Sequence, residues 1–352
     1  MAKGTIIGGG SYITGGAQHF VLSQVDLDGD APEPEMVDVT FLVHGVAIDP
    51  SDRRRAACFE KHGPGACLVD LAEGVRLQSI ATAPNRHFYG HGTFSADGSL
   101  LYATESVLDA DRRGALIVRD GKTFEELGEL PTHGTAPHDC VMVDDGAVMV
   151  VTNGGGPLRS GAKPSVTFLD LEGGRLLEKI ELGQGRYNAG HLAITARGDI
   201  ALVSAPREGL PSGSPGLGAV SLKPSGKPLV TVRKPRKIVE RMKGETLSVA
   251  VHEPSGSVMA THPEGDMVTR WDLSTGRLLK RYDDFEGPNG VCLTLDEAHF
   301  VVSHVCEGRA GLSLVDARST TQDPEIAVPS AMISGSHLFV HEGFHGAPAS
   351  PS

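Results

Sequence analysis

The chain has 352 residues, with 44 acidic and 32 basic side chains and a net charge of -12. This acidic balance disfavours nucleic acid and anionic membranes as partners and favours cations. No apolar run reaches about 18 residues, so we expect no membrane span. The start, Met1-Ala2-Lys3-Gly4, has no signal-peptide apolar segment, which is compatible with either a cytosolic protein or an exported protein without its leader.

The first predicted elements are three short strands, Thr5–Gly8, Phe20–Leu27 and Met36–Phe41. From residue 44 onward, one unit recurs about every fifty residues. It consists of a short apolar strand, a polar turn, a second strand, a third strand that ends near Asp-Leu, and a fourth strand. The starts of the copies lie at His44, His91, His138, His191, Ser248, Asn289 and His337.

A period of about 40–50 residues with four short strands per unit is typical of a β-propeller. Seven starts predict seven blades. The last copy supplies only an inner strand, and the three N-terminal strands would complete its blade and join the two chain ends. We therefore predict an all-β fold, with residues 1–352 forming one seven-bladed propeller domain of four-stranded blades. Two insertions interrupt it: a Gly-rich loop at Asn153–Pro164, and a basic, solvated segment at Arg233–Thr246 with one or two helical turns.

Cys58 and Cys67 flank a predicted hairpin turn, so they would face each other on adjacent strands. Two interpretations stay open: a cross-strand disulfide, which would favour an oxidising compartment, or two small buried residues.

Histidines occupy one position of the repeat. In a propeller the first strand of each blade lines the channel, so the first residues of these strands would meet at one mouth. Five of the seven copies place His there, and the others place Ser248 and Asn289. The second strands are antiparallel and end at the same mouth. Their ends add further polar candidates: His62, Glu105, Arg207, His262 and His304.

Converging imidazoles predict a site for a transition metal, and zinc, copper, iron, nickel and manganese all suit such ligands. The candidate ligands are His44, His91, His138, His191 and His337. The candidates for orienting a ligand or holding a substrate are His62, Glu105, Arg207, His262, Asn289 and His304. The alternative for each histidine alone is structural, because an imidazole can cap backbone carbonyls and hold water in a wet channel.

Several segments resemble a bacterial propeller family of unknown function. They are His87–Glu105, Gly134–Asp139, Val151–Gly156 and Gly190–Ala193. Members of that family are usually exported and often encoded near imelysin-like and dihaem peroxidase-like proteins of iron uptake. The resemblance therefore implies a periplasmic location, a link to iron or another transition metal, and other metal-uptake proteins as partners. The loop after Asn153-Gly154-Gly155 departs from the family pattern, and His62 stands where the family often has Arg.

Three functions follow from these observations. The first is metal handling in the periplasm by a histidine-lined channel. The second is a metal-dependent lyase or hydrolase that binds a small molecule in the same cavity, with Glu105 or a histidine moving a proton and Arg207 and Lys61 holding a carboxylate. The third is a scaffold that binds another protein through its rim, which the fold alone does not exclude.

Overall fold

The regular structure is almost entirely β-strand, which confirms the expected all-β fold. The structure is a computed structural model, and it describes residues 2–108, 113–183 and 185–343. Its strands form antiparallel groups of four, each made of consecutive hairpins apart from the group that contains both ends of the chain.

The first group joins the two ends of the chain. Its spatial order is β28 (Phe339–His341), β1 (Thr5–Thr14), β2 (Ala17–Asp26) and β3 (Pro34–Val39). In the ladder between β28 and β1, Thr5 pairs with His341 and Ile7 pairs with Phe339.

The next two groups share one extended sheet. The second group contains β4 (Val43–Ile48), β5 (Arg55–Gly63), β6 (Ala66–Asp70) and β7 (Val75–Ser79). The third group contains β8 (Arg86–Phe94), β9 (Leu100–Val107), β10 (Arg113–Asp120) and β11 (Glu126–Thr135). A short ladder between the end of β5 and the start of β8 connects them.

The remaining four groups are separate sheets. The fourth contains β12 (Pro137–Val143), β13 (Val148–Asn153), β14 (Ser165–Asp170) and β15 (Leu176–Glu181). The fifth contains β16 (Leu192–Ile194), β17 (Ile200–Ser204), β18 (Ala219–Lys223) and β19 (Val230–Thr231). The sixth contains β20 (Val249–His252), β21 (Ser257–His262), β22 (Met267–Asp272) and β23 (Leu278–Tyr282). The seventh contains β24 (Val291–Leu293), β25 (His299–Cys306), β26 (Arg309–Asp316) and β27 (Glu325–Val328).

Helical structure is short where it occurs. The segment 233–246 contains the helix α1 (Arg236–Val239), and its residues Ile238 and Met242 are buried in the core rather than solvated. The single-turn 3-10 helices are Asp144–Gly146, Leu158–Ser160, Glu253–Ser255 and Pro263–Gly265. Among the described residues, none of the helices has the length and apolarity needed to cross a bilayer.

An aspartate ends the third strand of several groups and shapes the turn that follows. The carboxylate of Asp120 accepts hydrogen bonds from the backbone N–H groups of Lys122 and Thr123, at 2.9 and 2.8 Å. Asp70, Asp272 and other strand-end aspartates make the same kind of turn. This local side-chain-to-backbone bonding explains the recurrent Asp in the sequence.

The core lies between neighbouring groups, where their faces pack. One cluster combines Ile7 and Leu22 of the first group with Val46, Cys58 and Val69 of the second. All five cysteines are free thiols. Cys58 and Cys67 are opposite each other in the β5–β6 ladder, and a hydrogen bond to Cys67, together with burial, raises the pKa of Cys58.

The first strands of the groups face a common central space. β4 contacts β8, β8 contacts β12, β16 contacts β20, and β24 contacts both β20 and β28. A cavity of about 610 Å³ is lined by residues of β4, β8, β12, β16, β20, β24 and β28 together. The sequence repeat therefore brings the start of each unit to one place, which is what positions the histidines.

Candidate metal centre

Five buried histidines meet at the end of this cavity. His44, His91 and His138 lie on β4, β8 and β12, while His191 and His337 stand just before β16 and β28. Each is at most 8% exposed. Their ring centroids lie close together, from 3.9 Å between His191 and His337 to 5.4 Å between His44 and His191. The structure thus brings together the five residues that the repeat aligns.

Four of these imidazoles are arranged like a ligand set. His44, His91, His191 and His337 each offer one ring nitrogen, and these nitrogens lie within 4.8 Å of one another. The Nε2 atoms of His44 and His191 are 3.3 Å apart. Two nitrogens bound tetrahedrally to one ion at about 2.0–2.1 Å would be separated by about 3.3–3.4 Å. His138 is outside this group of four, although its ring centroid is 4.3 Å from that of His191.

The outer ring nitrogens contact oxygen atoms. The Nδ1–H of His138 donates to the carbonyl of Tyr89 at 2.8 Å, and the Nδ1–H of His191 donates to the carbonyl of Leu247 at 2.7 Å. Because a carbonyl only accepts, both rings must carry their proton on Nδ1. Their Nε2 atoms are therefore unprotonated and carry a lone pair that can bind a metal.

Two side chains that the repeat analysis missed orient the other rings. The Nδ1 atom of His91 lies 3.4 Å from the carboxylate of Asp139, which also accepts a hydrogen bond from the backbone of Leu192. The Nδ1 atom of His337 lies 3.4 Å from the hydroxyl of Ser248. Oxygen partners of this kind fix ring orientation in metal sites. Position helps to identify both, because Asp139 follows a candidate ligand and Ser248 is one of the two copies without histidine.

Three of the inner nitrogens have no hydrogen-bonding partner. The Nε2 atoms of His91, His138 and His337 are buried and make no hydrogen bond. An orphaned buried polar atom costs about 1–3 kcal/mol. Unpartnered ring nitrogens of this kind, in a cluster where four imidazoles each offer a nitrogen within 4.8 Å of the others, are the feature that fits a metal ion.

The cluster is electrically neutral near pH 7. Burial lowers the pKa of His44, His138, His191 and His337 well below the usual value, and repulsion from neighbouring rings adds to this effect for all four. Burial also lowers the pKa of His91, although the Asp139 carboxylate opposes that shift. Neutral imidazole is the form that binds metals.

Hydroxyl groups on the second strands fix the backbone beside the cluster. Thr104 on β9 donates to the carbonyl of His91 at 3.1 Å and to that of His138, in the next group, at 2.8 Å. Thr152 on β13 accepts the N–H of Asp139 at 2.9 Å, and Thr261 accepts that of Ser248 at 3.0 Å. Thr104 and Thr261 directly precede Glu105 and His262, which were candidates at the ends of the second strands. A threonine that recurs at this position of the repeat is the sequence signal that points to these hydroxyls.

His262 and His304 lie away from the central cluster, in the strands behind it. Both ring nitrogens of His262 contact threonine hydroxyls, at 3.2 and 2.7 Å, and burial lowers its pKa to about 3. In His304, Nδ1 donates to the carbonyl of Val305 and Nε2 contacts the hydroxyl of Ser313, at 2.9 and 2.8 Å. The ring nitrogens of these two histidines are thus engaged by oxygen atoms.

Two charged candidates are also held by protein groups. Glu105 is fully buried and forms ion pairs with Arg119 at 2.5 Å and Arg86 at 3.2 Å. The guanidinium of Arg207 donates to five backbone carbonyls at 2.8–3.1 Å, those of Gly155, Gly156, Pro157, Ala162 and Gly185. Glu105 therefore joins strands, and Arg207 shapes the Gly-rich loop.

His62 and Asn289 are the remaining candidates. His62 is exposed, and its ring contacts the ring of Tyr89 edge-on at 4.2 Å between centroids. Asn289 is half-buried, and its backbone bonds to Ser303 and Thr261.

The cluster separates two cavities. The cavity of about 610 Å³ is lined by residues that follow the histidines along the first strands, together with His91, His191 and His337. A smaller cavity of about 270 Å³ is lined by His138 and by loop residues at the other end of those strands, including Lys61, His62, Arg207 and Glu245. The residues that line the larger cavity follow the histidines along the strands, and those that line the smaller cavity lie at the other end of these strands. The two cavities are therefore on opposite sides of the cluster.

Solved structures of low sequence identity share this architecture. Hydrazine synthase of Kuenenia stuttgartiensis matches with a TM-score of 0.67 and 16% identity, over 85% of this chain and 92% of that chain. The β-propeller domain of Cps50 (Swd1) from Myceliophteria thermophila matches with a TM-score of 0.58 and 13% identity, over 84% of this chain and 91% of that chain. At such identity the likeness shows the fold, which is a β-propeller.

Among curated proteins, none matches this sequence. The family model described as "Protein of unknown function (DUF1513)" matches residues 37–328. This match covers both the strands that carry most of the histidines and the segments whose resemblance to a propeller family of unknown function is noted above. The chain belongs to the DUF1513 family.

Proposed function

We propose that this protein binds a transition-metal ion in the histidine cluster and functions in metal handling. The observation that carries the proposal is the set of buried, unpartnered Nε2 atoms of His91, His138 and His337, with the His44–His191 nitrogen pair beside them. His44, His91, His191 and His337 are the proposed ligands. His138 completes the ring of imidazoles and is the proposed fifth ligand or ligand neighbour.

The donor set limits the identity of the metal. Imidazole nitrogens suit iron, copper, zinc and nickel, whereas hard oxygen-seeking ions prefer carboxylates. The group of four contains no thiolate or thioether, which disfavours Cu(I). Asp139 adds one nearby negative charge to balance a divalent ion. We propose iron or copper as the physiological metal, with zinc and manganese as competitors.

The seven four-stranded groups are proposed to be the blades of one closed propeller. The ladder between β28 and β1 supports closure, because it places the last strand of the chain against the first. The central cavity supports closure too, since one strand from each of the seven groups lines it. A periplasmic location, with metal-uptake proteins as partners, is proposed from the resemblance alone.

The test is the metal content of the untagged full chain, purified without chelators and measured by elemental analysis. We expect about one equivalent of a transition metal, lost after chelation and restored on reloading. His191→Asn should abolish uptake, while the matched control His62→Gln at the exposed mouth should retain it. A folded protein that never takes up metal would refute the proposal.

Catalysis at the same site is the second candidate. The observation that favours it is the large cavity against the His91, His191 and His337 rings, which leaves room for a substrate beside the ion. A metal-dependent lyase or hydrolase would use an open coordination position there. A screen of lyase and hydrolase substrates with metal-loaded and chelated protein tests this candidate.

A further inference from the structure

The two sides of the histidine cluster differ in chemistry. Most side chains that line the larger cavity are apolar, with Val46, Ile48, Met142, Val249 and Val340 among them, and polar atoms lie between them. Its charged or titratable members are the clustered histidines, Asp139 and the Cys140 thiol. The smaller cavity on the other side is ionic, since Lys61, Arg207, Glu208 and Glu245 line it.

The groups that could recognise a charge in the larger cavity are already engaged. Asp139 accepts the backbone N–H of Leu192 and lies beside His91. Cys140 is buried, and a buried thiol behaves as a small apolar group. A charged group lying along these walls would lose hydration without gaining a free, oppositely charged partner.

The cavity has the size and access that a ligand needs. Its volume of about 610 Å³ falls within the range of about 300–1,000 Å³ that is usual for small-molecule pockets. Met142, Val249 and Phe339 on its wall are only half-buried, so solvent reaches them. The end of the cavity is formed by His91 and His337, which keep 8% and 7% exposure, the highest values in the cluster.

We propose that the larger cavity binds a small molecule with an apolar body and a single donor atom, which completes the coordination of the ion in the histidine cluster. This inference rests on the proposed function, because the donor atom needs the metal. The apolar side chains of the walls would contact the apolar body of the ligand, and the metal at the histidine end of the cavity would bind its donor atom. The ionic cavity on the opposite side is left as the route for the hydrated ion.

The test uses the full chain loaded with Co(II), whose visible absorption reports coordination. Three probes are titrated: imidazole, 1-butylimidazole, and an imidazole whose butyl tail ends in a carboxylate. We expect 1-butylimidazole to bind at least about tenfold more tightly than imidazole, since several methylenes leave water. The carboxylate-tailed probe should bind more weakly than 1-butylimidazole.

A variant assigns the binding to this cavity. Val249→Thr keeps the shape of the side chain and adds a hydroxyl to the wall, so it should weaken 1-butylimidazole about three- to tenfold while leaving imidazole unchanged. The matched control is Val230→Thr on β19, where the valine is 59% exposed. Val249→Asp should weaken the binding of 1-butylimidazole further than Val249→Thr does.

The outcomes separate this inference from the proposed function. If Co(II) is not taken up, both are overturned. If Co(II) binds stoichiometrically but the three probes bind with equal affinity, or the apolar probe is insensitive to Val249→Thr and Val249→Asp, the apolar-ligand inference is overturned and the metal site stands.

Discussion

Acid should destabilise the metal-free protein through the histidine cluster. The perturbation is a fall in pH from 7.5 to 5.0 in the presence of chelator. In the folded protein, burial holds the pKa of each clustered histidine below its usual value, whereas the unfolded chain titrates near pH 6.5. The unfolded state therefore binds more protons over this range, and stability falls as the pH falls.

The size of the effect follows from this linkage. A histidine that stays neutral when folded and has a pKa of about 6.5 when unfolded loses about 2 kcal/mol of stability between these two pH values. Five such groups would together lose about 10 kcal/mol in the limit in which all stay neutral. Whole domains are stable by only about 5–15 kcal/mol, so the metal-free protein should approach unfolding near pH 5.

Trp271 provides the assay. It is the single tryptophan and is fully buried on β22. Urea unfolding followed by its fluorescence gives the free energy of unfolding at each pH. Bound metal should flatten the pH dependence above the pH at which the ion dissociates, because coordination keeps the rings deprotonated.

A pair of variants attributes the slope to the cluster. His337→Asn should reduce the loss between pH 7.5 and 5.0 by about 2 kcal/mol, since one titrating group is removed. His19→Gln, in the β1–β2 hairpin where His19 stacks on Tyr12, should leave it unchanged. An unfolding free energy that is flat over this range in chelated protein would refute the burial argument, and equal slopes in both variants would refute its assignment to the cluster.

Three other substitutions test the surroundings of the site. Glu105→Gln should cost about 3–5 kcal/mol in urea unfolding, since it takes the carboxylate from the buried Arg119 and one of three carboxylates from Arg86. It should leave the metal content unchanged, and loss of metal from folded protein would show that Glu105 belongs to the site. Gly90→Ala should lower metal affinity about tenfold or more, because Gly90 has a φ of 112° and a Cβ there would overlap the ring of His44. The control is Gly74→Ala, since nothing lies within 4 Å of a Cβ at that position. Equal metal affinities in the two variants would contradict the contact between residue 90 and His44. Arg207→Met should speed proteolysis in the loop of residues 154–164, whose carbonyls it binds, and unchanged cleavage would contradict that role.

Sequence reasoning was most successful where the repeat carries the information. Strand period and turn residues are local properties, so the starts at His44 through His337 could be aligned without coordinates. The N-terminal strands were placed at the right positions, although β1 and β2 extend as a longer hairpin to Thr14 and Ala17. Equivalent positions of a repeat share one environment, which explains why the five central histidines were found together.

The same reasoning gave less information about the strand ends. Glu105, His262 and His304 occupy equivalent positions in the sequence, but their partners lie on neighbouring strands and loops and differ from one group to the next. Arg119 forms an ion pair with Glu105 across the sheet, hydroxyls contact both ring nitrogens of His262, and a hydroxyl and a carbonyl contact those of His304. These pairings depend on ladder register and on side-chain direction, neither of which is visible in one strand alone.

The sequence by itself determined the all-β class, the repeat and the placing of five histidines at the starts of its units. Only the tertiary structure decided which ring nitrogens point inward, which oxygens hold the outer ones, and that one face of the cluster is aliphatic while the other is ionic. The physical reason is that a repeat specifies position along the chain, whereas coordination and binding depend on atoms from several units that converge in space.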